Sequence, residues 1–354
     1  MEWDSYLKNN SRGHCQQVSH YLKSFSKYPF CDYDLLIVRN SKGYIIGGIG
    51  FIIIGIPYFK ILFAPNGPII SKGSEFIFSD VVENSIKRGK RIKAFYCQIK
   101  APILKDINSD YEKFALVDIS EDGAYYKGEK GSQIDFLTAT NGFKAIRLGN
   151  DQHSYDRLSE SFNTNTKRNI RKAYSNELEL RFVTSIQEVK EAYQIVEQVA
   201  GIQKYKVRSW TKMRSFLMNM IANDLCIVPC CYVNGEMQGV LIVFDIGQRF
   251  NYVYGGILRS SPDLRIGHFL HNEMIKHSIQ KGYACYDFGL AGNVGINRFK
   301  DGFGAMNIEF EDSRYWIING FKMQLFLFLN KARYLLTNSL SNLKLVTGNI
   351  IKTK

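Results

Sequence analysis

The sequence predicts an α/β (α+β) chain of two tandem domains, each a mixed sheet flanked by helices. Three observations carry that expectation. The chain has 354 residues, 45% hydrophobic and 22% charged, an ordinary globular composition long enough for about two domains of roughly 100–200 residues each. Strand-like and helix-like segments alternate over residues 1–145. A second round of alternation begins near Ser154.

In the first half, residues 1–30 read as helical, because Trp3, Tyr6 and Leu7, then Val18, Tyr21, Leu22 and Phe25, recur at helical spacing. Asp34 to Val38 reads as a strand, closed by the turn residues Asn40-Ser41-Lys42-Gly43. The apolar run Gly43 to Phe63 is nearly long enough for a membrane helix. Pro57, Lys60 and internal glycines break it, so it reads as two strands joined by a Gly/Pro turn. A helix follows at about Glu75 to Arg88, then a strand over Ile92 to Ile99, with Leu116 to Ile119 and Phe136 to Thr138 as further strand candidates.

The second half opens with a basic helix, Asp156 to Ser175, and a strand, Leu178 to Val183. Helices near Ile186 to Gly201 and Ser209 to Ala222 precede strands Cys226–Val233, Met237–Asp245 and Phe250–Gly256. The helix Gly267 to Lys281 ends at Gly282, a suitable C-terminal cap. Strands Cys285–Phe288 and Ile308–Tyr315 complete the set. The order helix, helix, strand meander, helix, strand is that of an acetyltransferase-like domain. The expected division is residues 1–150 and 151–317.

The net charge of +13 and pI of about 9.2 favour an anionic partner: a nucleic acid, a phosphorylated substrate or an acidic membrane surface. Seven cysteines, an odd number without a CxxC pair, read as reduced thiols of the cytosol. The start, Met1-Glu2-Trp3-Asp4, lacks the pattern of a signal peptide, so a cytoplasmic location is expected. His268, His271 and His277 have no matching ligands elsewhere, and no metal site is expected. From Ser313 onward there is no acidic residue, while Arg314, Lys322, Lys331, Arg333, Lys344, Lys352 and Lys354 are basic. Phe321, Leu325, Phe328, Leu329, Tyr334 and Leu335 give this tail an amphipathic helical pattern. It either packs on the first domain or touches an anionic membrane, which would place the protein peripherally at the inner face.

The segment richest in information is Tyr286-Asp287-Phe288-Gly289, then Gly295-Ile296, then Phe299-Lys300-Asp301-Gly302-Phe303-Gly304. A strand ends at Phe288, and glycines at 289, 292 and 295 let backbone approach a ligand closely. Lys300, between aromatics such as Phe299, suits a phosphate or a developing oxyanion. Tyr252 and Tyr254 share one face of a strand and either wall a cleft or fill the core. Lys167, Arg168, Arg171 and Lys172 form a basic helical face that is either solvated or used on the phosphates of a nucleic acid.

YDFG followed by FKxGFG resembles the C-terminal signature of the Fem family of peptidoglycan-bridge aminoacyltransferases. Other segments agree in order: Trp3 with Gln16-Gln17, Pro65-Asn66-Gly67-Pro68, the basic run Lys167–Ala173, Arg208-Ser209 and Gly282-Tyr283. The resemblance implies two acetyltransferase-like domains, with a C-terminal helix over 318–354 returning to the first. It implies transfer of an amino acid from aminoacyl-tRNA to an amine of a peptidoglycan precursor, without a cofactor. Lys300 would assist the reaction, Arg208 would contact the precursor diphosphate, and Lys23 is the candidate for a second diphosphate contact. Gly289, Phe299, Tyr252 and Tyr254 complete the expected substrate-binding set. Asn66 stands where the family pattern has Arg, and Ala101-Pro102 where it often has Asp-Pro.

Two other readings stay open. An acyl-CoA-dependent N-acetyltransferase acting on a cell-surface polysaccharide precursor would share the fold. Such an enzyme places Arg/Gln-x-x-Gly-x-Gly/Ala at a helix start to hold pyrophosphate. Here Leu264-Arg265-Ile266-Gly267-His268-Phe269 lacks the first residue and the last glycine of that pattern. A non-catalytic RNA- or membrane-binding protein would account for the charge but not for the FKxGFG segment.

Overall fold

The computed structural model of the chain describes residues 2–56, 58–105, 112–116, 126–127, 142–149, 154–289 and 292–329. Its first half contains α1 (Glu2–Asn9), α2 (Ser19–Lys23), β1 (Cys31–Arg39), β2 (Ile45–Ile56), β3 (Phe59–Ala64), β4 (Ile69–Ile70), α3 (Phe78–Arg91), β5 (Tyr96–Ile99), β6 (Tyr126–Lys127) and β7 (Gly142–Arg147). The second half contains α4 (Ser154–Ser161), α5 (Thr164–Tyr174), β8 (Leu178–Phe182), α6 (Ile186–Ile202), α7 (Trp210–Ala222), β9 (Cys226–Ile227), β10 (Pro229–Val233), β11 (Glu236–Asp245) and β12 (Phe250–Ile257). It continues with α8 (Ile266–Gln280), β13 (Cys285–Asp287), α9 (Val294–Gly302), β14 (Met306–Glu309) and β15 (Arg314–Ile317), and a last helix, α10, covers 320–329.

The strands form two mixed sheets. The first has the order β1-β2-β3-β5-β15-β6, with β4 on β2. The second has the order β14-β7-β13-β12-β11-β10-β8, with β9 on β11. Each sheet is antiparallel except at one pair, β3 with β5 and β12 with β13. Each parallel pair is joined by one helix, α3 in the first sheet and α8 in the second, as parallel strands require. Two α/β units with the same central connection therefore stand in tandem.

The apolar run Gly43–Phe63 is two strands: β2 and β3 pair antiparallel from Ile52↔Phe63 to Ile56↔Phe59. Alternate β2 side chains reach the two faces of the sheet, Ile53 toward α3 and Ile52 toward α2. Both faces are covered, which explains why the run is apolar throughout rather than alternating.

Three expected elements divide. The basic helix Asp156–Ser175 is two helices, because the Asn163 side chain accepts from the Thr166 N–H at 2.7 Å and starts α5 afresh. Cys226–Val233 is two strands, β9 and β10. Ile308–Tyr315 is also two, and they belong to different sheets: β14 pairs with β7, and β15 pairs with β5. Strands are exchanged across the expected division of the chain. Gly142–Arg147 lies in the second sheet between β13 and β14, and Arg314–Ile317 lies in the first between β5 and β6. Phe136–Thr138, most of Leu116–Ile119 and residues 330–354 lie outside the described residues. The described part of the tail, α10, packs Met323 and Phe326 against Phe59, Phe95 and Tyr96 of the first sheet.

One hydrophobic core runs between the halves, joining Trp3, Leu7 and Val18 to Phe216, Leu225 and Phe244. The end of α1 is held by the same contact. The Gly247 and Gln248 N–H groups of the β11–β12 turn donate to the Leu7 and Lys8 carbonyls, both at 3.1 Å. Those carbonyls have no partner within their own helix, so the second half caps α1. Lys8 also pairs with Asp245 at 3.3 Å. This junction fixes the relation of the two units along the cleft described next.

Candidate active site

The parallel pair of the second sheet is short. Only Phe250↔Tyr286 and Asn251↔Asp287 are in register before the strands part. Gly289 turns the chain away at φ +73, and a Cβ there would lie 2.5 Å from the Tyr252 carbonyl oxygen. Glycine is thus required both for the backbone conformation and for the close approach. Beyond the split opens a cleft of about 400 Å³ between the units. Its walls include His14, Cys15 and Gln16 from the first, and Arg208, Tyr252, Tyr254, Asp287, Gly289 and Lys300 from the second.

Lys300 sits in the last turn of α9, whose start is capped by Asn293 accepting from the Ile296 N–H at 3.0 Å. Gly302 lets α9 lie against Asn163 and Thr166 at the start of α5, where a Cβ would meet the Thr166 hydroxyl at 2.3 Å. Lys300 is 4% exposed, and burial pulls its pKa down to about 8, against the opposing pull of Asp287 and with help from Lys144. Asp287 is pushed up to about 6 by burial, with Arg249 acting in the opposite sense. Its Oδ1 accepts the Gly289 N–H at 2.7 Å, and its Oδ2 lies 3.7 Å from Nε of the fully buried Arg249. Lys144 of β7 pairs with Asp301 at 2.5 Å. Cations therefore outnumber carboxylates around the split, an arrangement suited to an oxyanion or a diphosphate.

Arg208 lies just before α7, on the opposite wall. Its guanidinium is 4.6 Å from the centre of the Phe25 ring and 5.6 Å from that of Tyr28, and it donates to Ser24 Oγ at 3.1 Å. The Tyr193 hydroxyl donates to its carbonyl at 2.7 Å. Stacking of this kind fixes a planar guanidinium and leaves its remaining edge for a ligand.

The structure thus brings Lys300, Arg208, Tyr252, Tyr254 and Gly289 to one cleft. It does not bring the other two expected substrate contacts there. Lys23 is exposed at the end of α2, next to Ser24. Phe299 turns into an aromatic cluster with His268, His271 and Phe303 and faces a different cleft, at the start of α8. Arg168, Arg171 and Lys172 are exposed on the outer face of α5, and Lys167 donates to the Glu160 carbonyl. Thr166, Asn169 and Ala173 form the buried face of that helix.

Sequence reasoning missed His14, Cys15, Gln16 and Asp287 as cleft residues. Asp287 had a signal, since it lies within the YDFG segment. The first three had only Gln16-Gln17. Burial, together with Arg249, lowers His14 to about 3, and burial pushes the Cys15 thiol up to about 12. Neither is an activated base or thiolate at neutral pH. His271 is lowered to about 3 by burial and exchanges a 2.9 Å hydrogen bond with the Tyr286 hydroxyl, so it belongs to the aromatic core. Among the described residues, no group of His, Cys, Asp and Glu is placed to hold a metal ion. Among the same residues, no helix is long and apolar enough to cross a membrane. Asn66, standing where the Fem pattern has Arg, is fully buried and donates to Gln16 Oε1 at 2.6 Å.

Residues 160–301, the stretch from the end of α4 to just past Lys300, match the family described as an acetyltransferase (GNAT) domain. No curated protein matches the chain. Among solved structures, FemX superposes with a TM-score of 0.76 at 13% identity, covering 92% of this chain and 98% of FemX. A conserved protein of unknown function from Bacteroides thetaiotaomicron VPI-5482 superposes with a TM-score of 0.55 at 11% identity, covering 88% of this chain and 94% of its own. The chain therefore has a tandem GNAT fold of the FemX type, and its Lys300 cleft opens where the second GNAT unit splits its parallel strands.

Proposed function

We propose that the protein is an amide-forming acyltransferase that moves an amino acid from aminoacyl-tRNA to an amine of a peptidoglycan precursor. The observation that carries this reading is the pairing of Lys300 and Arg208 on one cleft in which His14 and Cys15 are both held in unreactive forms. A reaction that needs no enzyme nucleophile fits such a site. The acceptor amine attacks the ester carbonyl, the C–N bond forms, and the ester C–O bond breaks to release the 3′-oxygen. The amine loses one proton and the leaving oxygen gains one. Lys300 stabilises the tetrahedral oxyanion and the leaving oxygen, and positioning by the cleft does much of the rest. Arg208 holds the diphosphate of the acceptor. The exposed cations of α5, which shares its packing with α9, suit the phosphates of the tRNA.

One observation favours acyl-CoA as the donor instead. A cleft of about 530 Å³ lies at the start of α8, bordered by Arg259, Arg265, Gly267 and His268. First-turn N–H groups of a helix suit a pyrophosphate. Arg265, however, occupies the cap position in a left-handed conformation at φ 61, and Leu264 and Phe269 stand where the CoA pattern has Arg/Gln and Gly/Ala.

Titration of the protein with charged tRNA, and separately with acetyl-CoA, at fixed salt decides between them. The proposal expects saturable tRNA binding and none of CoA. Micromolar CoA binding with only salt-labile tRNA binding would replace it with the acyl-CoA reaction.

A further inference from the structure

We propose that the face formed by Phe30, Tyr58 and α10 seats the protein on an anionic lipid bilayer. Residues 320–329 read Gly-Phe-Lys-Met-Gln-Leu-Phe-Leu-Phe-Leu, with Lys322 and Gln324 the only polar side chains. Met323 and Phe326 fill the first sheet, where Phe326 meets Phe59 and Phe95 at 5.4 and 5.2 Å between ring centres. The other side of the same helix carries Phe321 at 80% exposure, Phe328 at 68%, Leu329 at 46% and Leu325 at 40%. A helix with large apolar side chains on both its inner and its outer side calls for cover on both.

Two further exposed aromatics lie at the same end of the first sheet, where β2 turns into β3. Tyr58, 91% exposed, is the residue before Phe59, and Phe30, 72% exposed, accepts the Gly55 N–H at the end of the β2–β3 hairpin. Both have positive φ, 63° at Phe30 and 70° at Tyr58, so tight turns hold large rings outward. Isolated exposed apolar residues are ordinary, but several large ones gathered at one end of a sheet are not.

Charge selects the occupant. Past Arg314, which is buried and paired with Glu311, the sequence holds six basic residues and no acidic one, and Lys322 among them lies on α10 itself. Lys23 and Lys27 are exposed on the segment leading to Phe30. A second copy would bring like charges together, whereas an anionic bilayer accepts both the cations and the rings. The face also adjoins the cleft, since Tyr28, two residues before Phe30, lies under the Arg208 guanidinium. An acceptor whose diphosphate is tethered to lipid would reach Arg208 from that surface. Binding to lipid is a property of this face and stands or falls apart from the transfer chemistry.

Vesicle flotation of the full chain tests the inference, with phosphatidylcholine alone and with about 30% phosphatidylglycerol added. The full chain is expected to float with the anionic vesicles only, and less at high salt. The double change Phe321→Asp and Phe328→Asp is expected to lower the bound fraction about tenfold. Tyr58→Asp, at a turn position that accepts Asp, is expected to lower it by about threefold without touching α10. Phe76→Asp, an exposed aromatic (77%) ahead of α3, keeps binding and serves as control. Absence of flotation by the unaltered chain, or an equal loss with Phe76→Asp, would overturn the inference. So would a dimer in sedimentation velocity that the double change dissolves while flotation is unchanged.

Discussion

The two sheets open their parallel pairs differently. In the first, β3 and β5 stay in register over four pairs, from Ile61↔Tyr96 to Ala64↔Ile99. The space beyond is filled by the chain itself. Gln17 donates to the Pro65 carbonyl at 2.6 Å and to the Gly50 carbonyl at 3.2 Å, and it accepts the Gly50 N–H at 2.6 Å. Asn66 and Lys100, both fully buried, occupy the same end, and the Lys100 ammonium donates to the Glu311 carbonyl. In the second sheet the strands part after two register pairs, and the corresponding space is the cleft that Lys300 enters. One split is satisfied internally and serves stability. The other leaves polar groups lining an opening.

That contrast is broken most directly at Gln17. Gln17→Ala leaves several buried polar groups unmatched and a cavity, and is expected to cost about 3 kcal/mol or more of folding free energy. Chemical denaturation reads the loss, while kcat of the folded fraction should stay within about twofold, because Gln17 is not among the cleft residues. The converse substitution, Lys300→Met, should lower turnover about 10²-fold with little loss of stability, the usual cost of one oxyanion donor. A decrease smaller than about threefold would remove Lys300 from the reaction.

Arg208→Ala comes next, with KM for a diphosphate-bearing acceptor rising about tenfold to a hundredfold and kcat less affected. A change confined to kcat would move Arg208 from anchoring to chemistry. The smallest effect is a pH limb. Lys300 holds its proton below about 8 and loses it above, since burial disfavours the charged form. If the charge is what helps, kcat/KM falls as pH rises through about 8, and Lys300→Arg flattens the fall. A rate that instead rises through that pH would make Lys300 a proton acceptor.

How much of this was legible in the sequence depends on the distance over which the signal acts. The two strands of Gly43–Phe63 were readable because Pro57 and the glycines act locally. Lys300 was readable because its motif is contiguous. The break at Asn163 was local too, but the helical pattern on both sides hid a cap whose partner is only three residues away. The exchange of β7 and β15 between sheets was not legible, since nothing in either strand names its neighbour. Phe299 looked like a companion of Lys300 because the two adjoin in sequence. A helix turns successive side chains by about 100°, and in α9 that rotation sends the ring into the aromatic core and the ammonium into the cleft. His14 and Cys15 reach the cleft only through the packing of the two halves.

The exchanged strand also bears on how the chain is made. β15 lies between β5 and β6 in the first sheet, yet about 215 residues separate Ile99 from Arg314. At ordinary synthesis rates the ribosome needs on the order of ten to forty seconds to cover that distance. Throughout that time β5 presents an unfilled edge, the kind of template on which nascent chains mispair. The first half therefore matures last, although it is made first, and expressing it alone would leave that edge open permanently.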